Sequence, residues 1–234
     1  MEDRIRAHLS LLVERYPVLE CVQDQITGIY ETIRECYENG GKLIIGGNGG
    51  SCSDAEHIVG ELMKGFKMLR PLDEKQQDAL KAVDPVLGAD LAKNLQGGLP
   101  AVALSSHPAL NTAFMNDVNG DMMYAQQLCS LGKPGDVFMA ITTSGTAMNL
   151  RYAAVTAKAK GMKVVALTGK SGGAMNELAD INLVAPCNET YQIQELHLPI
   201  YQFLKEPLIR RFGQEWYDEL CLIAEEWKKQ CAQK

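Results

Sequence analysis

Five short runs of apolar and β-branched residues recur along this 234-residue chain, with helical stretches between most of them. They are Lys42 to Gly46 (KLIIG), Pro100 to Ser105 (PAVALS), Asp136 to Thr142 (DVFMAIT), Lys163 to Thr168 (KVVALT) and Asp180 to Ala185 (DINLVA). Alternation of buried strand and helix predicts a parallel sheet covered on both faces, and right-handed crossovers leave few topologies open. Ligands of such sheets sit beyond the carboxyl ends of the strands.

Helices are expected at both ends of the sheet. From Asp3 to Asn39 apolar residues recur at helical spacing (Ile5, Leu9, Leu12, then Ile26, Ile29, Ile33), and Pro17 divides the run into two helices. The tail reads as two more, Thr190 to about Arg211 and Gln214 to Gln233. A chain of this length holds one core, read as a single domain over 1–234. Within it Met68 to Gly98 carries two polar helical stretches, DEKQQDALKAV and PVLGADLAKNLQ, where a crossover needs far fewer residues. This stretch, about 68–98, reads as an insertion.

Composition excludes several functions. A net charge of −6 and a pI near 5.3 argue against direct nucleic-acid binding, which needs a basic face. Seven cysteines without a CxxC pair suggest neither a disulfide framework nor a thiolate zinc site, and fit a reducing cytoplasm. The charged start, MEDRIRAHLSLLVERYP, has no apolar signal core, and no run of eighteen apolar residues occurs, so neither export nor a membrane partner is expected.

The first strand ends in Gly46-Gly47-Asn48-Gly49-Gly50-Ser51, with a helix expected from about Ser53. Glycines there permit positive φ and let backbone N–H groups approach an anion at a helix terminus. The spacing is not that of a dinucleotide fingerprint, and the GK[ST] ending of a P-loop is missing. The third strand ends in Thr142-Thr143-Ser144-Gly145-Thr146, followed by a helix over Ala147 to Lys160. Four hydroxyls in five residues at a helix N-terminus can donate to phosphate oxygens, whereas an N-cap needs only one. This is the expected phosphate site. On the first of these helices His57 and Glu61 are four residues apart and point the same way, as a surface pair or as base and ligand. Asn116-Asp117 and Gln194-Glu195-Leu196-His197 are further polar groups in apolar surroundings, and His197 alone reads as a satisfied, partly buried histidine.

In order, GGNGGS, DAEHIVGEL, ND, TTSG, LTGKSGG and QIQELH resemble the phosphosugar-binding SIS domain family. Within it the chain is similar to bacterial phosphoheptose isomerases and to the replication-initiation regulator DiaA. The resemblance implies an α/β fold, a three-layer αβα sandwich around a five-stranded parallel sheet of flavodoxin type. It implies a homotetramer, or at least a homodimer, with sites between subunits. The implied reaction converts sedoheptulose 7-phosphate to D-glycero-D-manno-heptose 7-phosphate through an enediol, with Glu61 as base and His57 beside it. Substrate contacts would fall on Asn48, Gly49, Gly50, Ser51, Glu61, Asn116, Asp117, Thr142, Thr143, Ser144, Thr146 and Gln194. A zinc site would draw on His57, Glu61 and Gln194.

The chain also departs from the family. The second catalytic histidine, also the fourth zinc ligand, falls on Gln202, whose carboxamide is no acid near neutral pH and a weak zinc ligand. Ala147 replaces the hydroxyl that closes the phosphate loop, and Gly65, with Lys64 and Lys67 nearby, stands where an arginine is usual. His197 and His107 are other imidazoles, at positions that do not match the family acid. Two readings follow: an isomerase that retains Glu61, or a non-catalytic sugar-phosphate-binding regulator or scaffold resembling DiaA.

Overall fold

The computed structural model describes residues 3–65 and 70–211. The tail helix expected over Gln214 to Gln233, and Lys67, lie outside the described residues. Helix α1 (Asp3–Arg15) and helix α2 (Gln23–Glu38) flank a 3-10 stretch, Pro17–Val22. Proline has no N–H to give a helix interior but fits a first turn, so the break falls at Pro17. Ile26, Ile29, Tyr30 and Ile33 form the buried stripe of α2.

Strands β1 (Leu43–Gly47), β2 (Ala101–Ala103), β3 (Val137–Ile141), β4 (Lys163–Thr168) and β5 (Ile181–Val184) form one sheet in the order β2-β1-β3-β4-β5, parallel throughout. This is the flavodoxin-type order, which reverses direction between β1 and β3. Asp136 pins the start of that pair, its carboxylate accepting the backbone N–H of Lys42 (3.0 Å) and of Lys133 (2.8 Å). The second strand is shorter than its apolar run. The side-chain amides of Asn111 and Gln127 donate to the Leu104 carbonyl (3.1 and 2.8 Å), and the chain turns there into a 3-10 segment, Leu104–Ser106.

The other helices are α3 (Gly50–Met63), α4 (Glu74–Val83), α5 (Leu87–Asn94), α6 (Pro108–Phe114), α7 (Met123–Leu131), α8 (Met148–Ala159), α9 (Met175–Leu178) and α10 (Thr190–Arg211). Side chains of a strand alternate between its faces. On one face Ile44, Phe138, Ala140, Val164 and Ala166 pack with Leu128 of α7 and with Leu150, Ala153 and Ala157 of α8. Leu43, Ile45, Val137, Met139 and Val165 have the opposite parity, are equally buried, and lie on the side of α2 and α3. Helix, sheet and helix thus make three layers.

The last two residues of β1 record the division between the layers. A Cβ on Gly46 would meet Leu150 of α8 at 3.0 Å, and one on Gly47 would meet the Ser51 carbonyl oxygen of α3 at 2.3 Å. The helices after β3 and β1 therefore leave toward opposite faces, which opens a crevice between the strand ends.

The chain falls into two compact units. The larger combines Met1–Met63 with Leu99–Lys205 and holds the sheet; the smaller contains Lys64–Gly98. The polar stretches of the smaller unit do form helices. Asp73 caps α4 by accepting the Gln76 N–H at 2.7 Å, while the Gln76 side chain accepts the Asp73 N–H.

Phe138 is fully buried in the middle of β3, whereas Val155 on α8 is 54% exposed. Phe138→Ala is expected to lower unfolding free energy by about 3–5 kcal/mol, and Val155→Ala to change it by about 0.5 kcal/mol or less. Urea denaturation of both variants checks this.

Candidate active site

Two clusters of polar residues arise from this frame. The first lies at the carboxyl ends of β1 and β3. Helix α3 begins at Gly50, three residues earlier than the sequence suggests, because Ser51 N–H donates to the Asn48 carbonyl (3.1 Å) and Cys52 N–H to that of Gly49 (3.0 Å), so the glycine loop itself winds into the first turn. Gly49 takes a positive φ of 56°. The Tyr124 hydroxyl donates to the Gly47 carbonyl at 2.8 Å, and burial pushes its pKa up to about 12.

Across the crevice, the Ser144 and Thr146 hydroxyls lie 2.9 Å apart and the Thr146 N–H points at Ser144 Oγ (3.3 Å). Gly145 has φ 68°, and a Cβ there would stand 2.0 Å from the Gly172 carbonyl oxygen, so only glycine lets this turn pack on the loop after β4. Thr142 is buried, and Thr143 is partly exposed. The side-chain amides of Asn48 and Asn149 exchange two hydrogen bonds (2.9 and 2.8 Å), joining the glycine loop to α8. Gln194, opening α10, belongs here too: a Cβ on Gly50 would touch its Nε2 at 2.5 Å. Asn48, Gly49, Gly50, Ser51, Thr142, Thr143, Ser144, Thr146 and Gln194 are therefore gathered in one region. Asn116 and Asp117 are not tied to it by a hydrogen bond: they lie on an exposed π-helical turn, Met115–Asn119, and the Asn116 amide donates to Asp117.

The second cluster lies farther along α3, where it runs beside α10. Glu61 is eleven positions beyond Gly50, about 16 Å at the rise of an α-helix. Asp54, His57 and Glu61 meet Tyr201 and Lys205, more than 140 positions later in sequence. The Tyr201 hydroxyl donates to Asp54 Oδ1 (3.1 Å) and lies 3.0 Å from His57 Nδ1. With that proton given to Asp54, the hydroxyl oxygen is free to accept from His57 Nδ1–H. His57 Nε2 faces Glu61 Oε1 at 2.9 Å, within hydrogen-bond distance.

Glu61 is 7% exposed, and its other oxygen, Oε2, takes the ammonium of Lys205, 3% exposed. The Tyr201 ring lies under the same ammonium, 4.8 Å from its centroid. Burial pulls the Lys205 pKa below its ordinary value, opposed by the hydrogen bond and charge of Glu61. Burial raises that of Asp54, opposed by the Tyr201 hydroxyl. Sequence reasoning found His57 and Glu61 and missed Asn149, Asp54, Tyr201 and Lys205. A lysine inside the apolar run FLK of α10 is the one signal that could have pointed to the last.

These residues do not fit a zinc ion within one chain. Gln194 sits against Gly50, well back along α3 from Glu61, and both Glu61 oxygens are engaged, one by a cation. Among the described residues no group of three His, Cys, Asp or Glu side chains converges as a metal would require. Neither alternative imidazole joins the cluster by a hydrogen bond. His107 Nδ1 pairs with Gln127 Oε1 (2.9 Å), and His197 is fully buried, its Nε2–H donating to the Thr168 carbonyl (3.0 Å).

A doubly wound parallel sheet with its loops gathered at the switch point belongs to the open α/β class that takes ligands beyond its strand ends, and residues 88–169 match the SIS domain family. Curated phosphoheptose isomerases are similar over most of their length. That of Geotalea daltonii is 34% identical over 81% of this chain and 86% of its own, and that of Shewanella sp. strain ANA-3 is 34% identical over 90% and 95%. Two solved phosphoheptose isomerases superpose on it. The enzyme from Francisella tularensis has TM-score 0.67 and 28% identity over 89% of this chain and 97% of its own; the Neisseria gonorrhoeae enzyme GmhA has 0.66 and 27% over 88% and 97%. This chain belongs to the phosphoheptose isomerase family.

His197 yields a pH prediction. Burial lowers its folded-state pKa, and Nδ1 has no hydrogen-bond partner among the described residues. The unfolded chain therefore binds a proton below about pH 6.5 that the folded chain refuses. The stabilisation is complete above that pH and is lost as pH falls toward the folded value, by at most about 1.4 kcal/mol per pH unit. His197→Gln, which retains a donor for Thr168, should flatten that slope in urea titrations at pH 7.5 and 5.5.

Proposed function

We propose that this chain is a phosphosugar aldose-ketose isomerase converting sedoheptulose 7-phosphate to D-glycero-D-manno-heptose 7-phosphate. The observation that carries the reading is the placement of Glu61: a buried carboxylate within hydrogen-bond distance of His57 (2.9 Å), on the helix that springs from the glycine loop. The substrate carries phosphate at C7 and reacts at C1 and C2, so anion site and proton-transfer site must be well apart. The phosphate is assigned to the hydroxyl cluster at Ser144 and the C1–C2 end to a Glu61 cluster, in a site between subunits as the family resemblance implies.

In this mechanism the phosphate is held by Ser144, Thr146, Thr143 and Thr142, the N–H groups of Gly49 and Gly50, the side chain of Ser51, and the amides of Asn48 and Gln194. Asn116 and Asp117 are assigned to sugar hydroxyls, as the family resemblance suggests. Glu61 takes a proton from C1 of the ketose while His57 delivers one to O2, giving the enediol. His57 then takes the proton from O1 as Glu61 returns a proton to C2, giving the aldose. His57 lets a proton pass between base and neighbour at one hydrogen-bond distance. Gln202 is no part of this exchange.

We read the chain as one SIS domain over 1–234 with an insertion at 68–98, working in the cytoplasm as a homotetramer or homodimer on a small sugar phosphate. Family resemblance and the acidic, cysteine-bearing composition support this. The non-catalytic, DiaA-like alternative is not favoured, since a binder has no use for a buried carboxylate paired with a histidine.

A coupled assay with sedoheptulose 7-phosphate should show turnover. Glu61→Gln should lower kcat by about 10²–10⁴-fold with phosphate affinity little changed, and Ser144→Ala should act mainly on KM. Binding without turnover by the folded wild-type protein would select the DiaA-like alternative.

A further inference from the structure

The buried Lys205 is left over by this mechanism, and its surroundings say what it does. Its ammonium is the second partner of the proposed base: Glu61 Oε2 on one side, the Tyr201 ring at 4.8 Å on another. The same tyrosine holds Asp54 and His57 through its hydroxyl. Two acidic side chains, Asp54 and Glu61, thus face one lysine ammonium and one histidine across the α3–α10 pair. The carboxylate oxygen that a divalent ion would take is already bonded to a positive charge tethered to the chain. A metal added at Glu61 would have to displace that ammonium or bind beside it against charge repulsion.

We infer that Lys205 occupies the place of a metal ion at Glu61, so that this chain holds its base with a built-in cation and needs no divalent metal. The inference rests on the proposed role of Glu61. Lys205 is a positioning residue: it fixes the Glu61 carboxylate toward His57 and keeps the local charge balanced while protons move. Gln202, one turn before it on α10, is then an expected companion, because a site whose cation is a lysine has no need of another imidazole ligand.

The test uses the full-length protein as purified, stripped with EDTA, then incubated with zinc chloride and gel-filtered. The expected result is substoichiometric zinc by mass spectrometry, no rise in melting temperature with zinc chloride, and turnover within about twofold of the untreated enzyme. Retention of about one zinc per chain, a zinc-dependent rise in melting temperature, or loss of turnover in EDTA would overturn the inference. Lys205→Met should lower turnover about 100-fold, and Lys205→Arg, which keeps the charge, should restore most of it. An arginine variant that folds as the wild type but is as inactive as the methionine variant would count against a charge role. If the wild-type protein turns over no sedoheptulose 7-phosphate, the isomerase reading fails on that ground, and zinc retention alone decides whether Lys205 fills a metal's place.

Discussion

The structure depends on the reversal of strand order between β1 and β3. Two parallel neighbours whose helices leave toward opposite faces cannot both be capped by one connection, and the gap between their ends is open to a ligand. The chain fills the rims of that gap with glycine on one side and hydroxyls on the other. Gly46 and Gly47 show how little room the arrangement allows: a methyl group on the first would press on Leu150, and one on the second would strike the Ser51 carbonyl. The asparagine pair, Asn48 with Asn149, then fixes the two rims to each other.

The parallel run of α3 beside α10 carries the second half of the site. Both helices start near the carboxyl edge of the sheet, as the contact between Gly50 and Gln194 shows, and residues facing one another recur turn by turn from there. Burying Glu61 without partners would be strongly unfavourable, and breaking a buried ion pair on one side typically costs about 3–5 kcal/mol. His57 and Lys205 remove that penalty by taking one oxygen each. The carboxylate is thereby held out of water in a fixed orientation, the condition under which a side chain is useful for moving protons between carbons.

The family resemblance and the local chemistry both single out Glu61 and differ on its partners. By the family resemblance the chain retains Glu61 and His57 but has Gln202 where a histidine is implied, and Lys205 lies inside an otherwise apolar helical face. The same helix positions, read with their contacts, describe a cluster with its own internal cation. One tyrosine links the groups: Tyr201 gives its hydroxyl proton to Asp54, accepts from His57 and presents its ring to Lys205.

Sequence by itself determined the sheet, its parallel sense and both loops, because buried strands, helical periodicity and glycine or hydroxyl clusters are local signals carried by adjacent residues. It placed the first helix three residues late, since nothing local says whether a glycine-rich turn belongs to the loop or to the helix it opens into. It found the His57–Glu61 pair because four residues make one helical turn. Only the tertiary structure decided that Lys205, Tyr201 and Asp54 complete that pair, that Asn149 joins the crevice, and that Asn116 and Asp117 bond to each other on an exposed turn. The physical reason is separation along the chain: Lys205 comes 144 positions after Glu61, and no periodicity spans that distance. Their meeting is set by how two helices pack on a common sheet.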